Sequence, residues 1–467
     1  MTQGITDNAQ KTKISFSIIG DAFADLFCLL DYGLPPVGGD TRVTHPMTPV
    51  AGGSGVNTAT HLSALVKDFS PNEEDTMDVT LQTAINEKDY YGQVIVEHAT
   101  MNSFEMINCN RHLEKNRDND NEGKDADQNA TEEKEGSTGH CIVMVNEGER
   151  SFISHIGVME AFKASHTVLH ELVNCRTADP LYTNHHHHIH VTGYYNLPGF
   201  TKGNLKKRLK LVREKRRSQS HSFHTFTTTI SLTPQYDATE KWDGGLVEDV
   251  LPLVDFLILN ALEAGKLSKI EVDEKECGGD INRTIVFQKW ADFFWGKSPL
   301  THVIITLGKI GAICLYQGEV VASMSSPKIY ENPIDPTGAG DSFSAGFLFG
   351  TMNWRRQYGH DECAEIGSLL KGSWEKAITE GMRYGCSVGT ACVARTGASV
   401  PAPKHEIAAF LNGEDGDTST GVEESFDDSE DESYEDDSSY ESDEYYTSSD
   451  GEDDAESLDQ GAKKEEV

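Results

Sequence analysis

NPIDPTGAGDSFSAGFLFG, residues Asn332 to Gly350, sets three small residues, Gly338, Ala339 and Gly340, directly before an acid, Asp341. Small residues let a backbone turn tightly and approach a ligand closely. The run that follows places Phe343, Phe347 and Leu348 at three-to-four spacing, which predicts a buried helix face. A glycine-rich turn feeding a helix start points unpaired N–H groups and the positive end of the helix dipole at one place, which suits an anion. An acid at that place would repel a phosphate unless it has a chemical task of its own.

On either side of this stretch, strand-like runs alternate with helix-like ones, which predicts a mainly parallel sheet with helices on both faces. ISFSIIG (Ile14 to Gly20) reads as a first buried strand and GVNTATHLSALV as a helix after a glycine-rich turn. VDFLILN and HVIITLG are short continuous apolar runs, as central parallel strands require. HCIVMVNEGERSFIS reads as a hairpin turning at Asn146, Glu147 and Gly148. The stretch from Asp31 to Val50 holds Pro35, Pro36, Pro46 and Pro49, so it cannot be a core helix. With the hairpin it is expected to form a small second sheet, from segments 33–50 and 140–155.

The 467 residues carry a formal charge of −36. From Gly413 onward there are 24 acidic and 2 basic residues, so this tail holds −22 of that charge. Such a Ser-rich, acidic segment buries too little apolar surface to order itself. Residues 111–139 have the same character. The expected organisation is a flexible N-terminus (1–13), one folded domain (14–411) interrupted by a disordered insert (111–139), and a disordered tail (412–467). The remaining charge is still acidic, which argues against nucleic acid as a partner. Nine cysteines stand singly without a CxxC pair, which points to a reducing compartment, the cytoplasm. No apolar run approaches the length of a membrane span.

Three further sites have residues suited to chemistry. AGGSGVNTA (Ala51 to Ala59) is a glycine cluster before a helix, either a ligand cradle or a plain turn. Asp21 and Asp25 follow the first strand, where open α/β sheets bind ligands; either can hold a hydroxyl, and Asp21 can instead cap a helix. Asn260 and Glu263 close a central strand, a spacing that serves a hydrated Mg²⁺ or an ordinary capping box.

Together, DPTGAGDSFSAGFL, GGSGVNTA, GDAFADLF, NALE, ITLGKIGA and ACVARTGAS, in that family's usual places, resemble the PfkB (ribokinase-like) family of carbohydrate and nucleoside kinases. The second of these departs from the family further on, where Val66 replaces a small residue. The resemblance implies a three-layer α/β/α sandwich with a small β-sheet lid, ATP and Mg²⁺ as cofactors, and a sugar or nucleoside acceptor. It implies that Asp341 is the general base and that Gly338, Ala339 and Gly340 form the anion hole. It implies that Asp25, Gly53 and Asn57 bind the acceptor, that Thr306, Gly308 and Gly311 lie beside ATP, and that Asn260 and Glu263 organise Mg²⁺ through water. Some members hold K⁺ near the anion hole, where Asp335 and Ser399 lie here. The lid can also serve as a homodimer contact.

Within the class, a free sugar such as ribose or fructose is the leading acceptor, with an adenosine-like nucleoside as the alternative. A silent binding protein using its acidic tail is the competing reading from another class. NHHHHIH (Asn184 to His190) reads as a loop repeat rather than a metal site, and KKRLKLVREKRR (Lys206 to Arg217) as the solvated face of a helix. The tail's serines and tyrosines beside acids suit an acidophilic kinase or a protein partner.

Overall fold

In the computed structural model, the described residues are 12–30, 33–70, 77–110, 136–146, 149–169, 184–219, 225–270, 285–358 and 371–414. They lie in one compact unit, Met1–Asp417, and the second unit, Thr418–Val467, falls outside them. Most of the expected insert and tail therefore lies outside the described residues.

Nine strands form the main sheet: β1 (Thr12–Ile19), β4 (Met77–Thr83), β5 (Glu105–Asn108), β8 (Asn184–Thr192), β9 (Thr225–Thr233), β10 (Phe256–Asn260), β11 (His302–Thr306), β12 (Gly311–Tyr316) and β13 (Glu319–Ser325). Their order is β13-β12-β11-β10-β9-β8-β1-β4-β5. All neighbours pair in parallel except β11 with β12 and β12 with β13. The connection from β1 leads to β4 on one side while β8 flanks it on the other, so the strand order reverses at β1. The crevice beyond its carboxyl end is where such sheets bind ligands.

Successive residues of a strand face opposite sides, and the two resulting cores follow that alternation. On one side Ile14, Phe16, Ile18, Phe256 and Ile258 pack with α1 (Ser54–Phe69), α2 (Tyr90–Met101), α6 (Ala339–Tyr358), α7 (Lys371–Cys392) and α8 (Lys404–Leu411). On the other, Ile19, Ile189, Val191, Leu257 and Leu259 pack with α3 (Asn204–Gln219), α4 (Ala261–Ser268) and α5 (Ile285–Lys297). In α3, Leu205, Leu209 and Val212 are buried, whereas Lys206 and Arg213 on its other faces pair with Asp249 and Asp255.

The histidine run corrects the expectation of a loop: it is β8, near the centre of the sheet. His186, His188 and His190 alternate with Thr227, Thr229 and Ser231 of β9 in a buried zipper. Its successive nitrogen–oxygen distances are 2.6, 2.9, 2.7, 2.7 and 2.7 Å. An imidazole has two ring nitrogens, so it can bond the rungs above and below it. This is how a strand so rich in polar groups tolerates burial.

The second sheet has the order β3-β2-β6-β7, from β3 (Pro49–Gly52), β2 (Phe23–Leu29), β6 (His140–Asn146) and β7 (Glu149–His155). The hairpin segment is as expected, with β6 antiparallel to β7, while the other expected segment supplies only the start of β3. Residues 33–48 contribute no strand, only a bridge from Val43 to Leu30. The unexpected member is Phe23–Leu29, which pairs with Pro49–Gly52 and His140–Asn146. The apolar run from Ile14 to Leu30 is thus divided between two sheets, with Gly20, Asp21 and Ala22 as the crossing.

Candidate active site

Two helix starts and the carboxyl ends of two central strands meet at the strand-order reversal. Ser54 opens α1, Thr192 ends β8, and Asp341 lies in the first turn of α6. Ser54 Oγ donates to Asp341 Oδ1 at 2.6 Å and also bonds the Thr192 hydroxyl. Thr233, at the end of β9, donates to Thr192 at 2.7 Å. Three hydroxyls thus run in file to the acid. Asn57 Nδ2 donates to Asp341 Oδ2 at 2.8 Å, and Gln235 Nε2 donates to Oδ1 at 3.0 Å. Burial lifts the Asp341 carboxyl to about 6, against the lowering effect of these donors.

Two more acids share the crevice. Asp25, on β2, is pushed up to about 7 by burial and then by the charges of Asp21 and Asp341. Asp21 is buried too and lies above the usual carboxylate range for that reason. It accepts from Gly55 N at 3.1 Å and Asn196 Nδ2 at 2.7 Å, so it caps α1 from across the turn. Asp25 contacts the Gly52 backbone so closely that a Cβ there would lie 2.0 Å from Oδ2. Gly53, the N-cap of α1, has φ 88°.

At the start of α6, Gly338 has φ +77°, and a Cβ on it would come within 2.7 Å of the Ala398 Cβ. Both facts demand glycine. At Gly340 a Cβ would meet nothing within 4 Å, so the first turn of α6 presents open space beside Asp341. The first N–H groups of a helix lack intrahelical acceptors. Asp335 supports the turn by accepting from Thr337 N at 2.8 Å and Gly397 N at 2.9 Å. Ser399 Oγ donates to Ala51 O at 2.7 Å.

Asn260 and Glu263 form a capping box at the start of α4: Glu263 N donates to Asn260 Oδ1 at 2.8 Å, and Asn260 N to Glu263 Oε2 at 3.0 Å. Glu263 is buried and pushed up to about 7, by burial and then by the charge of Asp341. Its Oε1 stays outside the capping box, and a carboxylate oxygen of this kind fits a water of a hydrated magnesium ion. Thr306 is the register partner of Asn260 across β10 and β11. Gly308 and Gly311 shape the turn that follows, with φ 59° and 127°. Among the described residues no hydrogen bond joins Thr306, Gly308 or Gly311 to Asp341.

Gln235, Thr192, Thr233 and Asn196 were not singled out in the sequence. Thr192, Thr233 and Asn196 sit at or beside strand ends, and that position is the only signal that could have found them. Gln235 follows Pro234 just past β9.

The family described as pfkB family carbohydrate kinase matches residues 127–405. Adenosine kinase 2 of Arabidopsis thaliana is 24% identical over 270 residues, 58% of this chain and 65% of that protein. The chain therefore spans a little under two thirds of that relative. The structure of ribokinase from Giardia lamblia superposes with a TM-score of 0.58 at 18% identity, covering 85% of this chain and 99% of that one. Ribokinase from Cryptococcus neoformans in complex with ADP gives 0.51 at 20% identity, covering 86% and 99%. These likenesses carry the fold: a ribokinase-like α/β sandwich.

Proposed function

The chain belongs to the pfkB family of carbohydrate kinases, and from that premise we propose that it transfers the γ-phosphoryl group of ATP to a primary hydroxyl of an uncharged sugar. The observation that supports this most is Asp341: a buried carboxyl, lifted to about 6, at the mouth of a helix start that has open space at Gly340.

In this reading Asp25 and Asn57 hold the acceptor and Asp341 takes the proton of its hydroxyl. The hydroxyl oxygen then bonds the γ-phosphorus as the bond to the bridging oxygen breaks, and ADP leaves. Acid and phosphate do not conflict, because Asp341 meets the attacking oxygen while the amides of Gly338, Ala339 and Gly340 meet the phosphoryl oxygens. Thr306, Gly308 and Gly311 line the nucleotide's side. Glu263 and Asn260 would hold magnesium through water, which supplies charge neutralisation between the phosphates. Asp335 and Ser399 flank the place for K⁺. The small sheet, bringing Asp25, acts as a lid that keeps water away. Six described cysteines are free and buried, which suits the cytoplasm. No helix among the described residues is long and apolar enough to cross a membrane.

The acids also narrow the acceptor. Asp21, Asp25 and Asp341 act on one another in one buried crevice. An anionic acceptor meets like charge there, which is costly where water is excluded. A nucleoside is the second reading, favoured by the match to an adenosine kinase and compatible with Ser54. The test is ATP consumption at pH 8 across pentoses, hexoses, nucleosides and sugar phosphates, in potassium and in choline chloride. Neutral acceptors are expected to exceed their phosphates by about 10²-fold in kcat/KM, the worth of a few kcal/mol of repulsion. A preference for sugar phosphates overturns the assignment of acceptor. ATP binding with no turnover on any acceptor supports the silent binding protein instead.

A further inference from the structure

Gln235 has φ +63°, the left-handed region that costs a non-glycine residue free energy. Strain of this kind persists where the surroundings impose it, and such residues cluster at functional sites. The surroundings here are plain. Tyr195 N donates to Pro234 O at 3.1 Å on one side of Gln235. On the other side the Tyr236 ring stands edge-on to Trp242, with centroids 5.5 Å apart, and Trp242 N donates to Asp237 Oδ2 at 2.7 Å. The backbone is held from both sides, so the side chain is the part able to move.

That side chain reaches into the crevice. Its Nε2 spans Asp341 Oδ1 at 3.0 Å and Ser54 Oγ at 2.9 Å. With Ser54 and Asn57, it brings the donors on the Asp341 carboxylate to three. Ser54 and Gln235 together fill the two lone pairs of Oδ1, so a hydroxyl reaching that oxygen must displace one of them. Beside it, Asn57 Oδ1 is buried without a hydrogen-bond partner. A hydroxyl that reaches Asp341 Oδ1 has one proton to give and needs the position that the Gln235 amide fills.

We propose that Gln235 is a positioning residue that keeps Asp341 Oδ1 filled with donors until the acceptor's hydroxyl displaces it, so that water is not activated at that oxygen when the acceptor is missing. The inference rests on the kinase reading above. The reaction it suppresses is hydrolysis: a water oxygen bonds the γ-phosphorus, its proton passes to Asp341, and ADP and phosphate leave. The charged and titratable groups facing Asp341 are Asp21, Asp25, Glu263 and Cys392. They stay the same when Gln235 is changed, so a difference between variants isolates the amide.

Gln235→Gly removes the amide and suits the left-handed backbone. In this variant, ATP hydrolysis without acceptor should rise about tenfold or more, a fraction of what a positioned base supplies. Losing a donor raises the carboxyl's proton affinity, so the acid limb of kcat/KM should move up by about half a pH unit. The acid limb of kcat should stay in place, because the amide has already left in the ternary complex. Gln235→Asn tolerates the same backbone but ends one methylene short, and should match the glycine variant. Acceptor-free hydrolysis at the wild-type level in both variants, or limbs of kcat and kcat/KM that move together, overturns the proposal. Wild-type protein that phosphorylates no acceptor overturns the kinase reading instead, so the two failures are distinguishable.

Discussion

Asp341→Asn lowers kcat by about 10³-fold, within the range that a general base contributes. The asparagine fills the same volume at the start of α6 and leaves Gly338, Ala339 and Gly340 in place, so the anion hole and the folded state persist. The acceptor still meets Asp25 and Asn57, and its KM should change little. The pH profile supplies a second signature. A base works ionised, so activity is present above its pKa and is lost as pH falls through it. In the wild type, kcat/KM should start to fall near pH 7 as Asp25 takes a proton and steepen near pH 6 as Asp341 does. In the variant only the Asp25 bend should remain, moved to lower pH because the Asp341 charge that helps raise Asp25 is gone. Steady-state kinetics from pH 5 to 9 check both points, and a variant with wild-type kcat removes Asp341 from the chemistry.

His190→Gln should make the fold less sensitive to acid. His190 is fully buried, and burial holds its imidazole down to about 3. In the unfolded chain the same group titrates near 6.5. Above that pH both states are neutral and nothing is lost. As pH falls below it, the unfolded chain binds a proton that the native chain refuses, so the native state loses stability. Between pH 7.5 and 5.0 this amounts to about 2 kcal/mol from this one residue. His61 and His302, each held down to about 4, act in the same direction. Asp25, Asp341 and Glu263 act oppositely: with raised native values, they favour the native state as pH falls through about 7 to 6. The two sets offset each other in the wild type, so the comparison with the variant is the informative one. Glutamine keeps a polar group opposite Ser231. Urea denaturation at the two pH values should show the wild type losing about 2 kcal/mol more than the variant. Equal losses would show that His190 is protonated in the folded chain.

The stretch from Asp335 to Leu348 was legible because its information is local. Small residues before an acid and an apolar helix face specify a turn, a helix start and a buried side without reference to any other segment. Asn260 and Glu263 were legible for the same reason, as a pattern over four residues. The strand at Phe23–Leu29 was not, since its apolar run continues that of β1 and the division at Gly20 depends on a partner more than 100 residues away, at His140–Asn146. β8 was misread because imidazoles count as polar along a single strand. Only the neighbouring Thr227, Thr229 and Ser231 make them compatible with burial, and that pairing spans about 40 residues. Gln235 has no signal beyond its place after a strand end, since no residue type announces a left-handed glutamine.

His185, His186, His187, His188 and His190 are each at most 7% exposed, although in an extended chain they would make a chelating tag of the kind used to capture proteins on nickel resin. The tag is hidden by the fold itself. Native protein should pass through immobilised nickel, while the same chain in guanidinium should be held until imidazole releases it. Retention then measures the opening of the sheet's centre, without a label, a probe or a substrate.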